Sequence, residues 1–132
     1  MDKMRIIQEY PHKELTEGVI GAAIDVHREL GPGLLESAYE SALSIELADR
    51  NISFQRQLSL PVMYKGRNLD CGYRLDMLVD DRVIIELKSV EKIQPIHEAQ
   101  LLTYLRMTGK KIGLLINFNV PLLKQGIVRK IL

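Results

Sequence analysis

The stretch Leu75-Asp76-Met77-Leu78-Val79-Asp80-Asp81-Arg82-Val83-Ile84-Ile85-Glu86-Leu87-Lys88-Ser89 decides how this chain is read. It holds two apolar, β-branched runs around a polar turn, the pattern of a β-hairpin. Asp76, Glu86 and Lys88 interrupt those runs. A charge in an apolar strand is costly unless it is paired, hydrogen-bonded or bound to a metal.

Side chains alternate faces along a strand, so Glu86 and Lys88 share the face of Ile84. Val83, Ile85 and Leu87 take the other face and can pack on a helix. The place of Asp76 depends on the turn. A two-residue loop at Asp80-Asp81 pairs Val79 with Arg82 and puts Asp76 opposite Ile85. A three-residue loop, Asp80 to Arg82, pairs Val79 with Val83 and puts Asp76 opposite Glu86. A shared site therefore predicts an odd-length loop or a bulge. Like charges facing each other are unfavourable in a sheet, and a bound Mg²⁺ or Mn²⁺ reverses that sign. Both ions prefer oxygen ligands. The Leu87 carbonyl, between the two side chains in sequence, offers another oxygen. Two carboxylates and a lysine so arranged suit phosphodiester chemistry: the ion activates water and polarises the phosphoryl group, and Lys88 orients the water or stabilises phosphate charge. The bland reading is a surface hairpin in which Glu86 and Lys88 screen each other.

Working outward, Leu15, Val19, Ala22, Val26 and Leu30 recur with a helical period, which predicts a helix over 15–30. Gly31-Pro32-Gly33 ends it. A second helix is expected over 34–49, with Leu35, Ala38, Tyr39, Ala42 and Leu43 as its stripe. Residues 1–12 read as a loose lead-in. Residues 52–60 alternate loosely, and Lys65-Gly66-Arg67-Asn68 signals a turn. Strands are expected over 69–79 and 82–90, then a helix from Pro95 to Met107 with Pro95 at its first position. The continuous apolar run Ile112 to Ile116 predicts a strand buried on both faces, and residues 127–132 an edge strand. The order is one mixed α/β domain over 1–132.

The 132 residues are 46% hydrophobic and 27% charged, ordinary for a globular protein, and the 18 basic and 17 acidic residues give a net charge of +1. Nucleic-acid affinity would have to come from local patches such as Lys88 with Lys92, Lys110-Lys111 or Arg129-Lys130. No apolar run reaches a membrane span of roughly 18 residues, so no membrane partner is expected. The lone Cys71 has no partner for a disulfide or a zinc site. No apolar leader follows the N-terminus, and a cytoplasmic location is expected. No serine-nucleophile elbow, phosphate-binding loop or dinucleotide fingerprint is present. Gln100 and Tyr104 lie four apart on one helix face, with His97 on the same side. His27 reads as a packed helix residue.

The segment Gly33-x-x-Glu36-x-x-Tyr39 resembles the motif that names the GxxExxY protein family, within the PD-(D/E)xK nuclease superfamily. Residues Ala23 to Gly33 are similar to that family's first helix and break. Asp76 resembles the superfamily's metal-binding aspartate, Glu86-Leu87-Lys88 its (D/E)xK element, and Gln100-x-x-x-Tyr104 the helix motif of its RecB-like branch. Leu114 to Phe118 resembles the strand that follows. The resemblance implies a restriction-endonuclease-like core, an α/β fold with a mixed β-sheet flanked by helices. It implies a metal-dependent nuclease acting on DNA or RNA, with Mg²⁺ or Mn²⁺ held by Asp76, Glu86, Leu87 and Glu36. Lys88 would assist catalysis, and Gln100, Tyr104 and Tyr39 would position substrate or support the site. A homodimer or larger complex is compatible with so small a core. The competing expectation is a non-catalytic nucleic-acid- or protein-binding module on the same fold.

Overall fold

The structure is a computed structural model that describes residues 10–132; most of the expected lead-in, residues 1–9, lies outside them. Helix α1 spans Lys13–Leu30 and α2 spans Glu36–Asp49. Strand β1 covers Phe54–Ser59, and a small hairpin follows, β2 Met63–Tyr64 and β3 Arg67–Asn68. Then come β4 Arg74–Val79, β5 Val83–Lys88, α3 Pro95–Thr108, β6 Ile112–Asn117, a 3-10 turn at Leu123–Gly126 and β7 Ile127–Ile131.

Five strands form one sheet in the order β1-β4-β5-β6-β7. Only β5 and β6 run parallel, joined through α3 as a parallel pair requires, and the remaining pairs are antiparallel. The result is the expected mixed α/β fold, a restriction-endonuclease-like sheet flanked by helices. Among the described residues, no helix is long and apolar enough to cross a membrane.

Alternation along β5 sorts the core into two layers. Val83, Ile85 and Leu87 pack with Val19, Ala22 and Val26 of α1 and Tyr39 and Leu43 of α2. Ile84 packs with Leu101, Tyr104 and Leu105 of α3 on the opposite face. Strand β6 is buried along its whole length, as its apolar run predicts. Gly113 lets α3 settle on the sheet: a Cβ there would lie 2.7 Å from Leu101 Cδ1 and 3.2 Å from the Ile84 carbonyl. That close approach seats α3 on the Ile84 face of the sheet.

Two expectations need correction. The strand predicted over 69–79 begins only at Arg74. Asp70 and Gly72 hold φ of 58° and 72°, two left-handed residues in close succession that break an extended run, so the apolar and aromatic residues 69 and 73 belong to a loop. Helix α2 begins at Glu36 rather than at 34, because Leu35 is still extended with ψ of 154°.

Candidate active site

The β4–β5 turn has the odd length that a shared site demands. Val79 pairs with Val83, so the loop is Asp80-Asp81-Arg82, and Leu78 and Met77 pair with Ile84 and Ile85. Asp80 and Asp81 both take left-handed backbone, φ 50° and 57°, which Asp tolerates better than most residues. The Asp80 N–H also donates to the Ser53 carbonyl at 2.8 Å, tying the turn to the approach of β1.

Continued by one residue, this register sets Asp76 opposite Glu86, and there the regular ladder stops. The Asp76 N–H donates to Glu86 Oε2 at 3.0 Å, and the Leu87 N–H donates to Asp76 Oδ2 at 2.8 Å. Each strand is thus capped by a carboxylate of the other. Two further irregularities coincide. Gln57, the β1 residue that would face Asp76, has φ of 50° and drops out of the β1–β4 pairing. Alternation in β4 also breaks: Met77 and Val79 lie in the α1–α2 layer, but Leu75 lies in the α3 layer. Asp76 therefore sits where the strand turns over.

The pair is electrostatically tense. Glu86 is 5% exposed, and burial, then the facing Asp76 carboxylate, push its pKa up to about 8. Burial also raises the Asp76 pKa, against the Leu87 N–H that lowers it. Each carboxylate spends one oxygen on a backbone N–H and keeps the other for a further partner. Within an extended strand a residue's N–H and C=O point to the same edge. The Leu87 carbonyl therefore points to the β4 edge, beyond the last regular pair of the β4–β5 ladder. Two facing carboxylates with an oxygen each to spare are the donor type that a hard divalent cation takes.

The other expected residues fall into two groups. Lys88 is half-buried and close enough that its charge lowers the pKa of both carboxylates. Glu36, in the first turn of α2, accepts the Ser89 N–H at 3.3 Å, and its charge raises both pKa values. It stands at the margin of the pair. Among the described residues, no three His, Cys, Asp or Glu side chains are grouped closely enough to hold an ion between them. Tyr104 is brought to the site from α3: burial, then Glu86, push its pKa up to about 12.

Tyr39 and His97 are not at the carboxylates. Tyr39 is fully buried and stacks on Phe118 at 4.3 Å. Its hydroxyl donates to the Gly31 carbonyl at 2.5 Å and accepts the Leu34 N–H at 3.1 Å, so it anchors the loop before Glu36. The same loop takes a bond from Ser89 Oγ to the Leu34 carbonyl at 2.6 Å. Tyr39 and Ser89 thus fix where α2 delivers Glu36. His97 accepts the Gln94 N–H through Nδ1 and caps α3. His27, as expected, is packed, 2.8 Å from the Val120 carbonyl. Two of the three sequence-level basic patches are absorbed by local contacts: Lys110 pairs with Asp81, Lys130 with Glu98, and Arg129 lies over the Tyr10 ring.

Glu40 was not expected. It is 8% exposed, one helical turn after Glu36, and its charge raises the Asp76 pKa. Arg56 Nε and Gln57 Nε2 donate to its two oxygens at 3.0 and 2.8 Å. In sequence the only signal was its four-residue spacing from Glu36, which puts both on one helix face.

A family model described as the PD-(D/E)XK nuclease superfamily matches residues 13–130. No curated protein and no solved structure matches the chain significantly. The match spans nearly all of the chain, which therefore belongs to the PD-(D/E)XK nuclease superfamily.

Proposed function

From that membership, we propose that the protein is a metal-dependent nuclease that hydrolyses phosphodiester bonds of DNA or RNA. The observation that carries the reading is the opposed pair Asp76 and Glu86, each capping the other's strand, with Lys88 beside them. In this reading Asp76, Glu86 and the Leu87 carbonyl hold Mg²⁺ or Mn²⁺, and Glu36 is the third carboxylate. When bound, the ion supplies a lowered pKa for water and a Lewis acid for the phosphoryl oxygen. Lys88 orients the attacking water or balances charge on the phosphate. Gln100 and Tyr104 position the substrate backbone or support the site, and the high pKa of Tyr104 keeps it a neutral hydrogen-bond donor. Glu40 and Tyr39 position Asp76 and Glu36 from behind.

Gly33, Glu36 and Tyr39 support a place in the GxxExxY family, and Gln100 with Tyr104 supports the RecB-like branch. Residues 14–130 are read as one nuclease domain, with assembly as a homodimer or within a larger complex in scope. The exposed thiol of Cys71 suits the reducing cytoplasm.

The test is cleavage of labelled single- and double-stranded DNA and RNA with Mg²⁺ or Mn²⁺, beside Asp76→Ala and Lys88→Ala proteins. Cleavage by the parent, lost with EDTA and in both variants, is expected. A competing reading, a non-catalytic nucleic-acid- or protein-binding module, draws on the marginal position of Glu36 and the net charge of +1. It predicts no cleavage under any of these conditions.

A further inference from the structure

Beside the carboxylates, a groove of about 460 Å³ runs between α3 and the loop that leads into β4. One wall is Ile96, Tyr104 and Met107 of α3, and the other is Val62 and Tyr73. The lining is mostly apolar and aromatic. Tyr73 is 46% exposed and meets Tyr104 edge-on at 6.5 Å between ring centres. Ile96 and Met107 are 70% and 48% exposed, so the groove is open to a large partner. Tyr104 belongs to both places: it lines the groove, and its hydroxyl feels the charge of Glu86.

The rim is basic. The β2–β3 hairpin rises from Val62, whose carbonyl accepts the Leu69 N–H at 2.9 Å. It carries Lys65 and Arg67, and Arg74 stands at the start of β4. None of these three takes part in an ion pair among the described residues, in contrast to Lys110 and Lys130, although the Lys65 ammonium lies over the Tyr64 ring at 5.5 Å. Between 62 and 74 the only acidic residue is Asp70.

We propose that this groove seats an unpaired nucleobase of the strand whose phosphodiester lies at Asp76 and Glu86, so the substrate is single-stranded nucleic acid or an unpaired end. The inference rests on the nuclease reading and narrows its substrate. An apolar cleft walled by an exposed tyrosine accepts the face of any base, because every base presents a π surface. Bases stacked inside a duplex cannot enter it. Lys65, Arg67 and Arg74 supply the phosphate-facing charge that such a strand requires. Gln100 and Thr103 are the polar residues of the lining, and Thr103 Oγ1 also accepts a bond from Arg106 at 2.9 Å.

The test is fluorescence anisotropy of the full chain with labelled 12-mers in EDTA, where cleavage is stopped. The probes are a single DNA strand, a single RNA strand, each in duplex form, and a single DNA strand with abasic residues. Parent protein is expected to bind one or both single strands about tenfold or more tighter than the duplexes. Tyr73→Ala should lose about tenfold on the same strands, with Tyr73→Phe retaining the affinity. The abasic strand should bind parent and Tyr73→Ala alike. Unchanged circular dichroism checks the fold of each variant. Equal or tighter duplex binding, or no effect of Tyr73→Ala, would overturn the proposal. The nuclease reading is judged separately: strand binding without Mg²⁺-dependent cleavage removes the enzyme and leaves the groove. Cleavage without single-strand preference does the reverse.

Discussion

From Met77 to Val79 and from Val83 to Ile85, the β4–β5 hairpin is a ladder of buried apolar pairs. One residue further on, at Asp76 and Glu86, the same two strands exchange side-chain carboxylates for carbonyls as acceptors. The turn end follows the ordinary rules of an interior sheet: β-branched residues, alternate faces, every backbone group paired. The other end satisfies its N–H groups while concentrating negative charge. The comparison teaches that the charges need not be tolerated by exposure. Glu86 is as buried as much of the core, and what compensates it is the Asp76 N–H, the nearby Lys88 charge and a raised pKa that favours its neutral form.

The two ends should fail in different ways. Lys88→Ala or Asp76→Ala should lower cleavage by about 10²–10³-fold or more, with a melting temperature close to that of the parent. Single-turnover assays and calorimetry on the same preparations check both halves. Ile85→Ala, at the turn end, should do the opposite. It should cost about 2–5 kcal/mol in urea unfolding, with the surviving folded fraction still able to bind Mg²⁺.

A pH series sharpens the contrast. In the folded protein Glu86 is raised from near 4.5 to about 8, so its neutral form is the one that folding favours. Its contribution to stability is therefore full below pH 4.5 and is lost as pH rises to about 8. In EDTA, stability attributable to Glu86 should fall over that window, and Glu86→Gln should flatten the slope. A slope unchanged by Glu86→Gln would mean that Glu86 is not the group under tension. The smallest effect belongs to the turn. Lys110→Ala removes the pair with Asp81, which is 83% exposed, and should cost no more than about 1 kcal/mol in the same unfolding assay.

Much of this was readable in residues 75–89. The alternation of Val83, Ile85 and Leu87 against Glu86 and Lys88 sets the faces. The demand that Asp76 meet Glu86 selects the three-residue loop that the structure contains. The helix boundaries at Leu30, Asp49 and Pro95 follow from Gly31-Pro32-Gly33, Asn51 and the proline itself. What was not readable depends on contacts distant in sequence or on single backbone angles. Leu69 and Tyr73 look like strand residues, and only the left-handed Asp70 and Gly72 between them say otherwise. Tyr39 carries motif spacing, but its work is done by the Gly31 carbonyl and the Phe118 ring. Glu40 is one helix glutamate among several until Arg56 and Gln57 arrive from β1 to bind it. The groove beside Tyr104 is likewise invisible until the loop before β4 brings Tyr73 to α3.

The most direct test of the central claim is thermal unfolding at pH 8 across a Mg²⁺ or Mn²⁺ titration, for the parent and for Asp76→Ala. A cation that binds only the folded carboxylate pair must raise the melting temperature saturably. The account predicts that rise in the parent and its loss in Asp76→Ala. A parent that does not respond, or a variant that responds equally, would contradict it.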